Sequence, residues 1–252
     1  MESHGSVSTH IKDRTAVITF GHPKSNSLPS KLLKSLADEF NKQSSNNSVN
    51  VIVLKSEGTT TFCGGASFDE LLKLKDIKQS REFFMGFANL INAMRTSSKF
   101  IITRVQGKAV GGGVGIIAAS DYVFATNISH IKLSELSIGI GPFVVGPAVE
   151  RKIGKAAFTS LSIDADWHDA FWAKNTGLFT KVFATIQELD EEVEKLAGHL
   201  AKYSPEAMAE MKKMFWEGTD HWNQLLEKRA EISGRLILSD FSKNYLKNFL
   251  KN

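Results

Sequence analysis

The chain has a single cysteine, Cys63, among its 252 residues. That excludes an intramolecular disulfide and a cysteine metal cluster, and it fits a reducing compartment. No apolar run approaches the roughly 20 residues of a membrane-spanning helix. The first ten residues, MESHGSVSTH, contain no apolar stretch of the kind a secretory signal needs. The expected location is therefore cytoplasmic, with no membrane partner. Charge of one sign is also scarce, at a net +4 and a pI near 9.0. The lysines are scattered and no recognition motif accompanies them, so nucleic acid is not an expected partner. His10, His22, His130 and His221 stand apart without metal-ligand spacing, so no metal is expected. Lys243, Lys247 and Lys251 form the one spaced basic cluster near an end. It reads equally as a solvated helix face or as a phosphate contact.

What is present is an ordinary globular composition, 42% hydrophobic and 23% charged, long enough for a sizeable core. TAVITF, Thr15 to Phe20, is β-branched and alternating and predicts a strand. Leu32, Leu33, Leu36 and Phe40 recur at helical spacing. VIVL, Val51 to Leu54, and FIITRV, Phe100 to Val105, read as strands buried on both faces. Phe68 to Leu74 predicts a helix, and Phe83, Phe87, Leu90 and Met94 share a helix face and read as core. Val114 to Ala119 suits a buried helix, and Tyr122 to Ala125 and Ile131 to Leu133 are short strand candidates. The alternation predicts an α/β fold with crossover connections. Beyond about residue 150 the pattern reads as helices throughout. In the Glu188 to Tyr203 run, acids come early and Lys195 stands four residues after Glu191, as an exposed helix prefers. No repeat, low-complexity segment or long linker calls for a second independent domain. The four tryptophans, Trp167, Trp172, Trp216 and Trp222, read as packing or subunit contacts.

Three segments could carry chemistry. Phe62-Cys63-Gly64-Gly65-Ala66-Ser67-Phe68 places two glycines between a strand and a helix. The Ala66 amide then lies at a helix N-terminus, where free N–H groups attract negative charge; a tight turn without a ligand has the same signature. Gly107-Lys108-Ala109 runs on to Gly111-Gly112-Gly113-Val114-Gly115 and again enters a helix. It is not a P-loop, since Ala109 follows Lys108, and its glycines lack the spacing of a dinucleotide fingerprint. Two such N-termini can aim two amides at one oxygen, although close helix packing also demands glycine. Third, Leu133 to Pro142 (LSELSIGIGP) carries Glu135, the only acid between Asp121 and Glu150. A carboxylate in so apolar a stretch has a raised pKa and carries protons well near neutrality, or else it caps a helix.

Taken together in this order, Phe62-Cys63-Gly64-Gly65-Ala66, Gly111-Gly112-Gly113 and Ser134-Glu135-Leu136-Ser137-Ile138-Gly139 resemble the enoyl-CoA hydratase/isomerase, or crotonase, superfamily. The resemblance extends to His22-Pro23 through Leu28, the VIVL strand, Ala119-Ser120-Asp121, Lys155-Ala156-Ala157 and Ser204-Pro205-Glu206-Ala207, nearly the whole chain. It implies a spiral of ββα units over residues 1–195 and a C-terminal helical trimerisation region over 196–252, forming one functional unit. It also implies a homotrimer or a dimer of trimers. The implied substrate is an acyl-CoA thioester, with no cofactor beyond the coenzyme A of the substrate itself. The backbone N–H groups that hold the thioester oxygen match Ala66 and Gly112. Ala66-Ser67-Phe68-Asp69 matches the stretch that borders coenzyme A, with Ser67 where aspartate is common.

The hydratases of the family use two glutamates. One matches Glu135; the other matches Gly115, which has no side chain. The expected chemistry is therefore enoyl-CoA double-bond isomerisation with Glu135 as the one proton shuttle. The alternatives are a hydratase whose substrate supplies its own acid, such as methylglutaconyl-CoA, an acyl-CoA decarboxylase, and a non-catalytic CoA-binding paralogue. The family's dehalogenases attack with an aspartate just beyond the third segment, where this chain has Phe143-Val144-Val145.

Overall fold

A computed structural model of the chain describes residues 4–249. Strand β1 (Ser6–Lys12) turns back antiparallel onto β2 (Thr15–Gly21). Helix α1 (Ser30–Ser44) follows and buries Leu32, Leu33, Leu36, Ala37 and Phe40, the stripe its spacing predicts. Then β3 (Val51–Ser56) pairs parallel with β2. From here the chain repeats one device: a long strand enters a large sheet, a short strand enters a small sheet, and helix follows. β3 leads to β4 (Thr61–Cys63) and to helices α2 (Phe68–Lys73) and α3 (Ile77–Arg95). β5 (Phe100–Val105) leads to β6 (Lys108–Val110) and α4 (Gly112–Ala118). β7 (Tyr122–Thr126) leads to β8 (His130–Lys132) and a single 3-10 turn, Leu136–Ile138. The expected spiral of ββα units is thus present.

The C-terminal part is not all helix, and that expectation is corrected. Helix α5 (Gly146–Asp164) contains the Ala156-Ala157-Phe158 stretch but breaks at Gly154, whose φ is 78°. β9 (His168–Asp169) adds an antiparallel edge to the small sheet; after α6 (Ala170–Asn175), β10 (Lys181–Phe183) adds a parallel edge to the large one. The sheet orders are β1-β2-β3-β5-β7-β10 and β4-β6-β8-β9. Helix α7 (Ile186–Leu200) opens with a capping box, Thr185 with Glu188, and runs across the 195/196 boundary. Its surface pair is Glu192–Lys195, not Glu191–Lys195; Glu191 accepts from Gln187, and Asp190 reaches Arg104 on β5. Glu191 and Glu192 stand four and three residues before Lys195, and both spacings bring side chains together on a helix surface.

Helices α8 (Pro205–Phe215), α9 (Trp222–Ile237) and α10 (Asp240–Phe249) complete the chain. α9 lies along α3 so closely that a Cβ on Gly234 would stand 2.9 Å from the Arg81 nitrogen. α10 closes over the loop after β8: a Cβ on Gly139 would meet the Phe241 ring at 2.4 Å and the Ser242 Oγ at 2.7 Å. Lys243 donates to the Leu74 carbonyl at 2.5 Å, so it braces the end of α2, while Lys251 lies outside the described residues. Trp216 and Trp222 pack edge to face, and Trp167 lies beside the Lys108 and Lys132 ammonium groups.

Candidate active site

The first turn precedes α2. The Leu28 N–H donates to the Gly65 carbonyl at 2.8 Å, and the Ser67 N–H donates back to the Leu28 carbonyl at 3.3 Å. Within one planar peptide the C=O and the next N–H point oppositely. With the Gly65 carbonyl committed to Leu28, the Ala66 N–H points away from Leu28. The same logic applies at α4. The Gly111 carbonyl accepts from Val114 and Gly115, at 2.9 and 3.2 Å, so the Gly112 N–H leaves the helix end outward. The two turns touch: a Cβ on Gly65 would stand 3.9 Å from the Gly112 nitrogen. Gly111 has φ 51° and ψ −113°, a conformation that only glycine adopts readily.

Each glycine of the triplet, and Gly115 beyond it, is also pinned by a neighbour. A Cβ on Gly112 would stand 2.1 Å from the Phe87 ring, and one on Gly113 would stand 2.6 Å from the Cys63 Cβ. On Gly115 it would stand 2.5 Å from Val145 Cγ1. Gly115 is therefore no empty socket. The side chain of Val145 occupies the direction in which a residue there would project.

Glu135 comes from the loop after β8, and its carbonyl is held by Ile138 N–H at 3.2 Å and Ile140 N–H at 3.0 Å. Its Oε1 stands 3.0 Å from where a Cβ on Gly111 would be, so the carboxyl lies directly over the glycine turn. Its Oε2 is buried with no hydrogen-bond partner among the described residues. Burial pushes the Glu135 carboxyl up to about 7, with only its own backbone N–H pulling the other way. Cys63, beneath the turn, is pushed up to about 12 by burial, so it is an inert thiol.

Ala66, Phe68, Gly112 and Glu135 all line one pocket. Its walls are apolar: Leu71, Phe84, Phe87, Ile138, Ile140 and Val145 among them, with Ser134 and Ser233 adding hydroxyls. Its volume is about 50 Å³. Ser67 and Asp69 face elsewhere. They line an adjacent groove of about 640 Å³ together with His22, Lys24, Lys31 and Lys73. Ser67 caps α2, accepting from Glu70 N–H at 3.4 Å, and Asp69 pairs with Lys24 at 2.5 Å. The five residues singled out for substrate thus split between a largely apolar pocket and a polar groove that meet at Ala66 to Phe68. Val145, Ser233 and the pocket-facing edge of Phe87 were not legible in the sequence. Phe87 reads as core and is core, but its ring also shapes the Gly112 turn.

The enoyl-CoA hydratase/isomerase family model matches residues 10–249. A probable enoyl-CoA hydratase of Bacillus subtilis is 25% identical over 248 residues, covering 98% of this chain and 96% of that protein. The peroxisomal Delta(3,5)-Delta(2,4)-dienoyl-CoA isomerase of Arabidopsis thaliana is 25% identical over 211 residues, covering 77% of this chain and 74% of that one. The crystal structure of an enoyl-CoA hydratase from Bacillus halodurans superposes with a TM-score of 0.89 at 24% identity, covering 98% of this chain and all of the other. With two amides and a carboxyl meeting in one pocket of that fold, the chain belongs to the enoyl-CoA hydratase/isomerase family of enzymes.

Proposed function

We propose that the protein shifts a double bond in an enoyl-CoA, with Glu135 as its single proton carrier. The thioester oxygen sits between the Ala66 and Gly112 amides, which stabilise negative charge as it develops there. The Glu135 carboxylate takes a proton from C2 of a 3-enoyl thioester. The electron pair moves onto the thioester oxygen, giving a dienolate. The same carboxyl then returns its proton at C4, and the double bond comes to rest between C2 and C3. Coenzyme A runs from Ala66 and Phe68 along the groove of Ser67 and Asp69, and no other cofactor is needed. The protein works as a cytoplasmic homotrimer or dimer of trimers, as the family resemblance implies.

The observation that carries this reading is Val145 beside Gly115. Gly115 has no side chain, and Val145, which lines the pocket, fills the space that one would take. Syn-hydration shared between two acids is handicapped in such a site, because each acid–base group contributes roughly 10²–10⁴-fold. Hydration is the second reading, supported by the hydratase name of the B. subtilis relative; a substrate that brings its own carboxylate, such as methylglutaconyl-CoA, would supply the missing acid. Decarboxylation of an acyl-CoA fits the amide pair as well but leaves the raised Glu135 without a task. The test is a panel of 3-enoyl-, crotonyl- and methylglutaconyl-CoA. Faster turnover of the 3-enoyl thioester supports isomerisation. Efficient hydration of crotonyl-CoA, near 10²–10³ s⁻¹, contradicts it.

A further inference from the structure

Next to the Glu135 pocket lies a second space of about 280 Å³, lined by Gly146, Pro147, Glu150, Phe158, Ile163 and Arg229 among others. Pro142 and Phe143 line both spaces. The Phe143 N–H turns back to the Gly141 carbonyl at 2.7 Å. Its ring lies against the bare face of Gly141, where a Cβ would stand 2.8 Å from Cε2. Phe158 in turn lies against Gly146, whose Cβ would be 2.9 Å from Cζ. Two glycines thus let two rings fold down, one at each cavity. The far cavity opens toward solvent, since Ile163 is 67% exposed.

We propose that Phe143 is the specificity-determining floor of the acyl pocket. It restricts the enzyme to short acyl chains and walls off a space that a longer chain would otherwise enter. The inference rests on the acyl-CoA reading of the pocket. Its physical basis is volume. The near pocket offers about 50 Å³ against about 280 Å³ in the space beyond Phe143, and forcing further methylenes against a packed ring is unfavourable. In an open apolar channel each added methylene would instead tighten binding about fourfold.

The experiment measures dissociation constants for butyryl-, hexanoyl-, octanoyl- and decanoyl-CoA by calorimetry on wild type, Phe143→Ala and Phe143→Leu. Saturated thioesters keep the readout to binding. In the wild type, affinity is expected to stop rising or to fall beyond about six carbons. In Phe143→Ala it should keep rising, so that octanoyl- or decanoyl-CoA binds tenfold or more tighter than to the wild type, with Phe143→Leu between. If the alanine variant does not fold, the leucine variant still gives the ordering. Butyryl-CoA binding with the same chain-length profile in all three proteins would overturn the role of Phe143. Failure of every acyl-CoA to bind would overturn the acyl-CoA reading itself.

Discussion

Glu135 is held in an environment that disfavours its charge, and this has a consequence for stability as well as for catalysis. Its folded value, about 7, lies above the ordinary carboxyl value of 4.5. Between those values the folded protein keeps a proton that the unfolded chain has lost. Stability therefore falls as pH rises from 4.5 and levels off above about 7. Glu135→Gln removes the penalty. It should leave stability nearly unchanged at pH 5 and raise it at pH 8, by on the order of 2 kcal/mol or several degrees in melting temperature. Melting curves of both proteins at the two pH values check this; equal shifts at both would show that the carboxyl is not desolvated. Turnover that depends on the carboxylate should rise through neutrality and plateau above it.

Gly115 and Val145 belong to the same scale. Restoring a second acid by Gly115→Glu alone drives its Cβ to 2.5 Å from Val145, so that variant should be destabilised by roughly 1–3 kcal/mol, as overpacked cores are. Gly115→Glu with Val145→Gly clears the space. The double variant is expected to hydrate crotonyl-CoA at least tenfold faster than wild type. An unchanged rate in a well-folded double variant would show that a missing acid does not limit hydration. The glycine turns and Glu135 were legible in the sequence because glycine and an isolated acid are conspicuous in one dimension. Val145 was not, because its contact with Gly115 spans 30 positions and an apolar residue in an apolar stretch carries no mark.

At the scale of elements, the long helices and buried strands could be read from their periods. α1 and α3 show a clear apolar stripe, and β3 and β5 are buried along nearly their whole length. β1 escaped because none of its residues is fully buried and its alternate half-buried positions are Val7 and the polar Thr9, too little apolar alternation to read. β4, β6, β9 and β10 are two or three residues long, too short for a period, and pairing with distant strands defines them. The docking of α8 was equally hidden. Lys212, 1% exposed, donates to Asp121 at 2.7 Å and to the Lys99 carbonyl at 3.1 Å. Asp121 also accepts from Ile101 N–H at 2.7 Å, and Lys152 donates to the Ser120 carbonyl beside it at 2.8 Å. Burial lowers the pKa of Lys212 while Asp121 opposes the shift. Removing one member of such a pair strands the other. Lys212→Met should therefore destabilise by on the order of 3 kcal/mol, read as a lower urea midpoint at unchanged slope. A loss below about 0.5 kcal/mol would mean that α8 is held by its apolar face alone.

Across the whole molecule, two sheets built in parallel by successive ββα turns bring three loops, 60 to 70 residues apart in the chain at their extremes, to one pocket. The C-terminal helices then close it. Ser233 of α9 lines the pocket, and Phe249 of α10 packs on Phe68 with ring centroids 4.9 Å apart. The fold class was legible because the alternation of elements runs the length of the chain. The closure was not, since nothing local in α9 or α10 names the surface it covers. In the proposed mechanism this enclosure lets one carboxyl, buried over two amides, move the proton. The most direct test of that claim is exchange of the α-protons of a bound saturated acyl-CoA with deuterated water, followed by NMR in wild type and Glu135→Gln. Exchange needs only a base and a hole for the thioester oxygen. Wild type should exchange, and Glu135→Gln should bind the thioester with similar affinity while losing exchange by 10²-fold or more. Undiminished exchange in Glu135→Gln would contradict the claim and assign Glu135 a structural role.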